Sequence, residues 1–279
     1  MLKENAKLEI IYYTDPYCTW CWGSEPVIRH IQEVYGEQVK ITYKTGGLVK
    51  DMDDFYDAFN DISRIEQVAP HWAEASSKHG MPVDIKVFDE IKKDFKSTYP
   101  ANIAYKAAQM HDGELADKFL RRMREAAAYE KQPIHKTETL KKLAAQVGLD
   151  ADRFVKDFES REAKEAFMED ITDARSRGIF GFPTFLIKNS KGREMIIKGY
   201  RTFEELSGII GEVATEKLVR KKPADILAFL NKYERVATRE VSEVFELSDE
   251  EAEKELEDLE KKGKIKKQTA GNGLMWNSV

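Results

Sequence analysis

The chain has 279 residues, 42% hydrophobic and 34% charged, and its 45 Lys plus Arg against 50 Asp plus Glu leave a net charge of −5. That balance excludes a wholly disordered polymer and a global basic field that would attract nucleic acid or anionic lipid. Two cysteines, Cys18 and Cys21, are too few for a disulfide scaffold or a four-thiolate zinc site, and Trp22 in place of His excludes c-type haem attachment.

The N-terminus lacks the apolar run of a signal peptide and no stretch approaches membrane-spanning length, so a cytoplasmic chain with reduced thiols is expected. Lys7 to Tyr13 (KLEIIYY) reads as a strand that ends at the turn-prone Asp15-Pro16. From Cys18 onward, Val27, Ile28, Ile31, Val34 and Tyr35 recur at helical spacing until Gly36. Gln38 to Lys44 alternates as a second strand, which completes a βαβ unit with both cysteines at the helix start. Residues from about 50 to 177 read as almost wholly helical, with helices expected over Asp53 to Val68, Pro100 to His111, Glu114 to Tyr129, Lys136 to Val147 and Asp150 to Arg177. Pro183 to Lys188 and Glu194 to Tyr200 read as strands, and a helix follows with Thr202 as its N-cap.

Beyond Leu218, Arg220-Lys221-Lys222-Pro223 reads as a linker. Helices over Ala224 to Tyr233, Thr238 to Phe245 and Asp249 to Lys262 precede a hairpin turning at Gly271-Asn272-Gly273, a winged-helix pattern. The expected division is therefore 1–217 and 218–279. The third helix carries eight acids between Asp249 and Glu260, which argues against DNA binding. Protein contact, dimerisation or capping of the first domain remain as its roles.

A C-x-x-C pair opening a helix within a βαβ unit is a thioredoxin-like redox pattern. Unpaired N–H groups at the helix start favour an anion, so Cys18 is expected to be the thiolate nucleophile and Cys21 the resolving thiol. Half of a metal site and two inert buried cysteines are the competing readings. The second motif is Gly178-Ile179-Phe180-Gly181-Phe182-Pro183-Thr184, where base rate alone favours a trans bond before Pro183.

DPYCTWCWG followed some 160 residues later by GFPTF resembles the DsbA-like branch of the thioredoxin superfamily, and within it the FrnE-like cytosolic dithiol oxidoreductases and isomerases. The resemblance covers residues 7 to about 217. It implies a thioredoxin fold with a large helical insertion, with Pro183 as a cis-proline against the dithiol and the Phe182 backbone pairing with an extended substrate. The implied site is catalytic Cys18, Cys21 and Pro183, with Tyr17, Trp20, Phe182 and Thr184 against a protein or peptide disulfide. No cofactor is implied beyond glutathione or another thiol as redox partner. Thr19-Trp20 between the cysteines lacks the His of the strong oxidants, which implies a less oxidising pair. Related families keep two alternatives open. One is a glutathione-dependent isomerase or transferase. The other is a non-catalytic adaptor that presents a transcription regulator to a cytosolic protease. Trp20 is expected to be exposed, and His71, His79, His111 and His135 are expected on the surface.

Overall fold

The structure, a computed structural model, describes residues 6–279 apart from residue 59. Strand β1 (Leu8–Thr14) leads into the short helix α1 (Thr19–Gly23), then α2 (Glu25–Tyr35) and strand β2 (Val39–Thr45). Seven helices follow: α3 (Val68–His79), α4 (Val87–Ile91), α5 (Tyr99–His111), α6 (Gly113–Ala128), α7 (Thr137–Gln146), α8 (Ala151–Glu159) and α9 (Arg161–Ser176). The chain then returns to the sheet through β3 (Thr184–Asn189), β4 (Glu194–Lys198) and α10 (Phe203–Val213).

The sheet order is β2-β1-β3-β4, with β1 and β2 parallel and β3 and β4 antiparallel to their neighbours. Central β1 is buried on both faces, so it is apolar at consecutive positions rather than alternately. Leu8, Ile10 and Tyr12 pack with α2 and α10, while Ile11 and Tyr13 pack toward Ala174 of α9. This is the thioredoxin fold with a helical insertion that the sequence implies.

Two helical boundaries differ from expectation. The segment Asp53 to Val68 is not a helix: its described residues form a turn around the Asp57–Ile62 bridge and a 3-10 turn at Ile65–Gln67. Aspartates there compete for the backbone, as where the Asp51 carboxylate accepts from the Asp53 N–H at 3.1 Å and Asp57 from the Asn60 N–H at 3.3 Å. Residues 150–177 form two helices because Ser160 ends α8 and caps α9, its hydroxyl accepting from the Ala163 N–H at 3.2 Å.

The C-terminal module consists of α11 (Ile226–Tyr233), β5 (Arg235–Ala237), α12 (Thr238–Phe245), α13 (Asp249–Lys261), β6 (Ile265–Ala270) and β7 (Gly273–Ser278), with sheet order β5-β7-β6. Thr202 and Ser248 cap α10 and α13, each in a reciprocal pair with the Glu three residues on. The module is docked, not tethered. Ala237, Ala270 and Met275 are buried in the same apolar core as the helical insertion, and the Asn272 N–H donates to the Val83 carbonyl at 3.0 Å. The Asn272 side chain accepts from the Val83 N–H at 2.8 Å and donates to Ser76 Oγ at 2.9 Å. Closeness at this turn requires glycine: a Cβ on Gly271 would lie 2.0 Å from the Val83 oxygen.

Charge joins the same two units. Glu240 of α12 has no exposed surface and receives Arg29 of α2 at 2.8 Å and both terminal nitrogens of Arg121 of α6, at 2.9 and 3.0 Å. Arg121 also reaches Glu25 and Glu125, while Arg235 of β5 reaches Glu125 at 3.3 Å and Glu130 at 3.2 Å. Several of these groups are buried, and each has an opposite charge in contact.

Candidate functional site: the dithiol end of the sheet

Asp15 organises the turn between β1 and α1. Its carboxylate accepts from the Tyr17 and Leu48 N–H groups at 2.8 Å each, the Thr98 hydroxyl at 2.9 Å and the Asn102 amide at 2.8 Å. Burial still pushes its pKa above the usual carboxylate range despite these donors. Cys18 follows as the N-cap of α1, its sulfur accepting from the Cys21 N–H at 3.3 Å and its thiol donating toward the Phe182 carbonyl at 3.5 Å. The Phe182–Pro183 bond is cis, as the resemblance implies. Helix start and cis-proline loop therefore meet, although 164 residues separate their contacting atoms.

The surroundings act unequally on the two thiols. A side-chain interaction with Cys21, together with burial, pushes the Cys18 pKa well up. Burial also raises Cys21, but its side-chain interaction with Cys18 and the Arg124 guanidinium outweigh it and hold Cys21 below its ordinary value. The Cys21 N–H at the start of α1 acts on Cys18 in the opposite, lowering direction. Both sulfurs are buried, Cys18 at 6% exposure and Cys21 at 0%.

The remaining site residues divide into two groups. Tyr17 is buried, with its hydroxyl paired to His135 Nδ1 at 3.0 Å, and His135 Nε2 meets Asp94 at 3.1 Å. Thr184 is also buried and donates to the Gly181 carbonyl at 2.8 Å. Neither offers a face to a substrate, which corrects the expectation for both. Trp20 is half-buried rather than exposed, edged by His71, His79 and Tyr200. Phe182 is also half-buried, its ring so close to Gly46 that a Cβ there would lie 1.7 Å away. Trp22 belongs to the core, donating to the Pro82 carbonyl at 2.9 Å under the Arg121 guanidinium. Phe180 stands outward at 76% exposure.

His79 is the residue the sequence reading misplaced most. It is buried, packs on Gly23, accepts from the Met81 N–H at 3.0 Å through Nδ1 and lies 3.4 Å from the Thr19 hydroxyl. Burial pushes its pKa down to about 4. It therefore stays neutral beside the dithiol and supplies no positive charge to a thiolate. No sequence spacing points to it, because 60 residues separate it from Thr19. No group of three or more His, Cys, Asp or Glu that could hold a metal ion occurs among the described residues.

The family model described as Thioredoxin matches residues 12–207, and the model described as FaeA-like protein matches residues 222–277. Across the whole chain, the ClpXP adapter protein SpxH of Halalkalibacterium halodurans is 30% identical, with 98% of this chain and 90% of that protein covered. The chain belongs to the SpxH family of thioredoxin-fold proteins. The SpxH of Bacillus subtilis is 28% identical, with 98% of this chain and 89% of that protein covered.

Two solved structures cover about two-thirds to three-quarters of this SpxH-family chain. The cytosolic disulfide reductase DsbM from Pseudomonas aeruginosa superposes with a TM-score of 0.56 at 25% identity, covering 68% of this chain and 89% of its own. A 2-hydroxychromene-2-carboxylate isomerase, at 16% identity and a TM-score of 0.52, shows the fold alone; it covers 73% of this chain and 95% of its own. The expectation of a disulfide oxidoreductase or isomerase is therefore overturned. The relatives that match both units over nearly their full length are adapter proteins, and the FrnE-like refinement gives way to the SpxH family. The C-x-x-C motif was read for the chemistry it supports elsewhere. Here both cysteines are buried, and His79 beside them is held neutral.

Proposed function

We propose that this chain is a non-catalytic adapter that brings a client protein to ClpXP. One observation carries the reading: an adapter relative matches 98% of the chain, across both units, whereas the likeness to the disulfide reductase structure covers 68% of it. Two features of the fold support it. The module is held to the thioredoxin unit by buried ion pairs and a docked hairpin, so both present surfaces in a fixed relation. The hairpin tip, which a winged helix would need for DNA, is occupied by Val83 and Ser76.

In this reading Cys18, Cys21 and Pro183 shape the end of the sheet and turn nothing over. Phe180, two residues before Phe182 of the cis bond and turned outward, supplies an apolar side chain for protein contact. A cytoplasmic location follows from the partner. No helix among the described residues is long and apolar enough to cross a membrane.

The experiment is a comparison of protein half-lives in cells with and without this chain. One or a few proteins should become long-lived in its absence, and the Cys18→Ser, Cys21→Ser double variant should restore their turnover. Unchanged half-lives throughout the proteome would overturn the proposal.

A further inference from the structure

A groove of about 910 Å³ runs between the two units, beneath the strap that joins them. Phe203 and Val34 from the thioredoxin unit and Ile226, Leu227, Phe245 and Leu259 from the module give it an apolar lining. The four module residues are half-buried and so reach the surface of the groove. Arg220 fixes the strap, donating to the Tyr35 hydroxyl at 3.3 Å and to Ser207, and the Lys221 N–H donates to the Val34 carbonyl at 2.8 Å.

The charges along its two walls are unused. Lys221 and Lys222 stand exposed on the strap wall; Glu246 at the end of α12 and Glu255 on α13 stand exposed on the module wall. None of the four joins an ion pair or side-chain hydrogen bond among the described residues, although ion pairs are dense elsewhere on this surface. Glu246 also holds a left-handed backbone, φ 55° and ψ 41°, a conformation that favours Gly or Asn and has a cost for Glu. At the inner end, buried His30 stacks on Phe203, and its Nδ1 has no hydrogen-bond partner, the nearest carboxylate oxygen being that of Glu243 at 3.5 Å.

We propose that this groove receives an amphipathic helix of a partner protein, with an apolar stripe flanked by acidic residues on one side and basic residues on the other. An apolar floor between two walls of opposite sign is complementary to that arrangement. Two acidic flanks would meet Glu246 and Glu255, and two basic flanks would meet Lys221 and Lys222. The proposal concerns the groove itself and holds whether or not the partner is a client of ClpXP.

The test uses the full chain and three labelled synthetic helices of about four turns with one shared apolar stripe. Their flanks are mixed, all acidic or all basic, and binding is read by fluorescence anisotropy at low ionic strength, where exposed charges are least screened. The mixed helix should bind at least roughly tenfold more tightly than either other, a difference of about 1.4 kcal/mol. Leu227→Asp should abolish that binding. Lys221→Glu with Lys222→Glu, both on exposed side chains, should leave the fold intact by circular dichroism and shift preference to the all-basic helix. The charge reversal decides the matter if Leu227→Asp fails to fold. Equal binding of all three helices, binding by none, or a preference untouched by the charge reversal would overturn the proposal. A concentration-dependent dimer broken by the same reversal would also overturn it, because the groove would then seat a second copy of this chain.

Discussion

At the scale of single residues, Glu240 shows what joins the two units. Removing its side chain leaves Arg29 and Arg121 buried with one partner fewer, and uncompensated buried charge is the expensive half of any internal ion pair. Glu240→Ala should destabilise the chain by about 3–5 kcal/mol in urea unfolding, and a loss under about 1 kcal/mol would refute that role. His79 gives a pH signature. Its folded pKa of about 4 lies below the unfolded value near 6.5, so between these values the unfolded chain binds more protons. Stability contributed by neutral His79 is therefore complete above pH about 6.5 and lost as pH falls toward about 4, up to about 3 kcal/mol. His79→Gln should flatten that part of the profile, whereas coincident profiles for variant and wild type would show that His79 is not held neutral. Gly46→Ala, whose Cβ would overlap the Phe182 ring, should cost about 1–3 kcal/mol, read from the shift in thermal midpoint.

These residues also mark how far single positions were legible. Cys18, Cys21 and Pro183 stand in local motifs, so spacing alone located them. Glu240, Arg121, Arg124 and His79 owe their environment to contacts that span from 60 to over 200 residues, which no local pattern encodes. The spacing of the thiol pair is local, whereas the surroundings that act on it are not: burial by distant elements bears on both thiols and Arg124 on Cys21.

At the scale of elements, amphipathic period and capping chemistry were reliable guides where both were present. Strand β1, the helix cap at Thr202, the cap at Ser248 and the hairpin turn at Gly271 all follow from local residues. The segment from Asp53 to Gln67 escaped because its apolar residues imitate a helical period while its aspartates bond to nearby backbone. The hairpin carries the element-scale prediction. Asn272→Ala removes two side-chain hydrogen bonds to the insertion and leaves the Val83 N–H without its acceptor. Hydrogen exchange at the Val83 amide should accelerate by roughly tenfold or more, as a loss of about 1–3 kcal/mol implies. Exchange at the wild-type rate would mean that the tip does not hold the module.

At the scale of the molecule, the thioredoxin fold with its insertion and the small C-terminal unit were both legible, but their union was not. The run Arg220-Lys221-Lys222-Pro223 reads as a linker; it is pinned through Arg220 and Lys221, and the module beyond it shares a core with the insertion. A tethered winged helix would leave the dithiol domain to act alone. A docked one holds the surfaces of both units in a fixed relation. The most direct test is reconstituted proteolysis of a protein whose half-life depends on this chain, with purified ClpXP and either wild type or the Cys18→Ser, Cys21→Ser double variant. Degradation that needs the chain and proceeds equally with both versions is the predicted result. Degradation supported by wild type and lost with the double variant would contradict it and return the dithiol to the centre of the function.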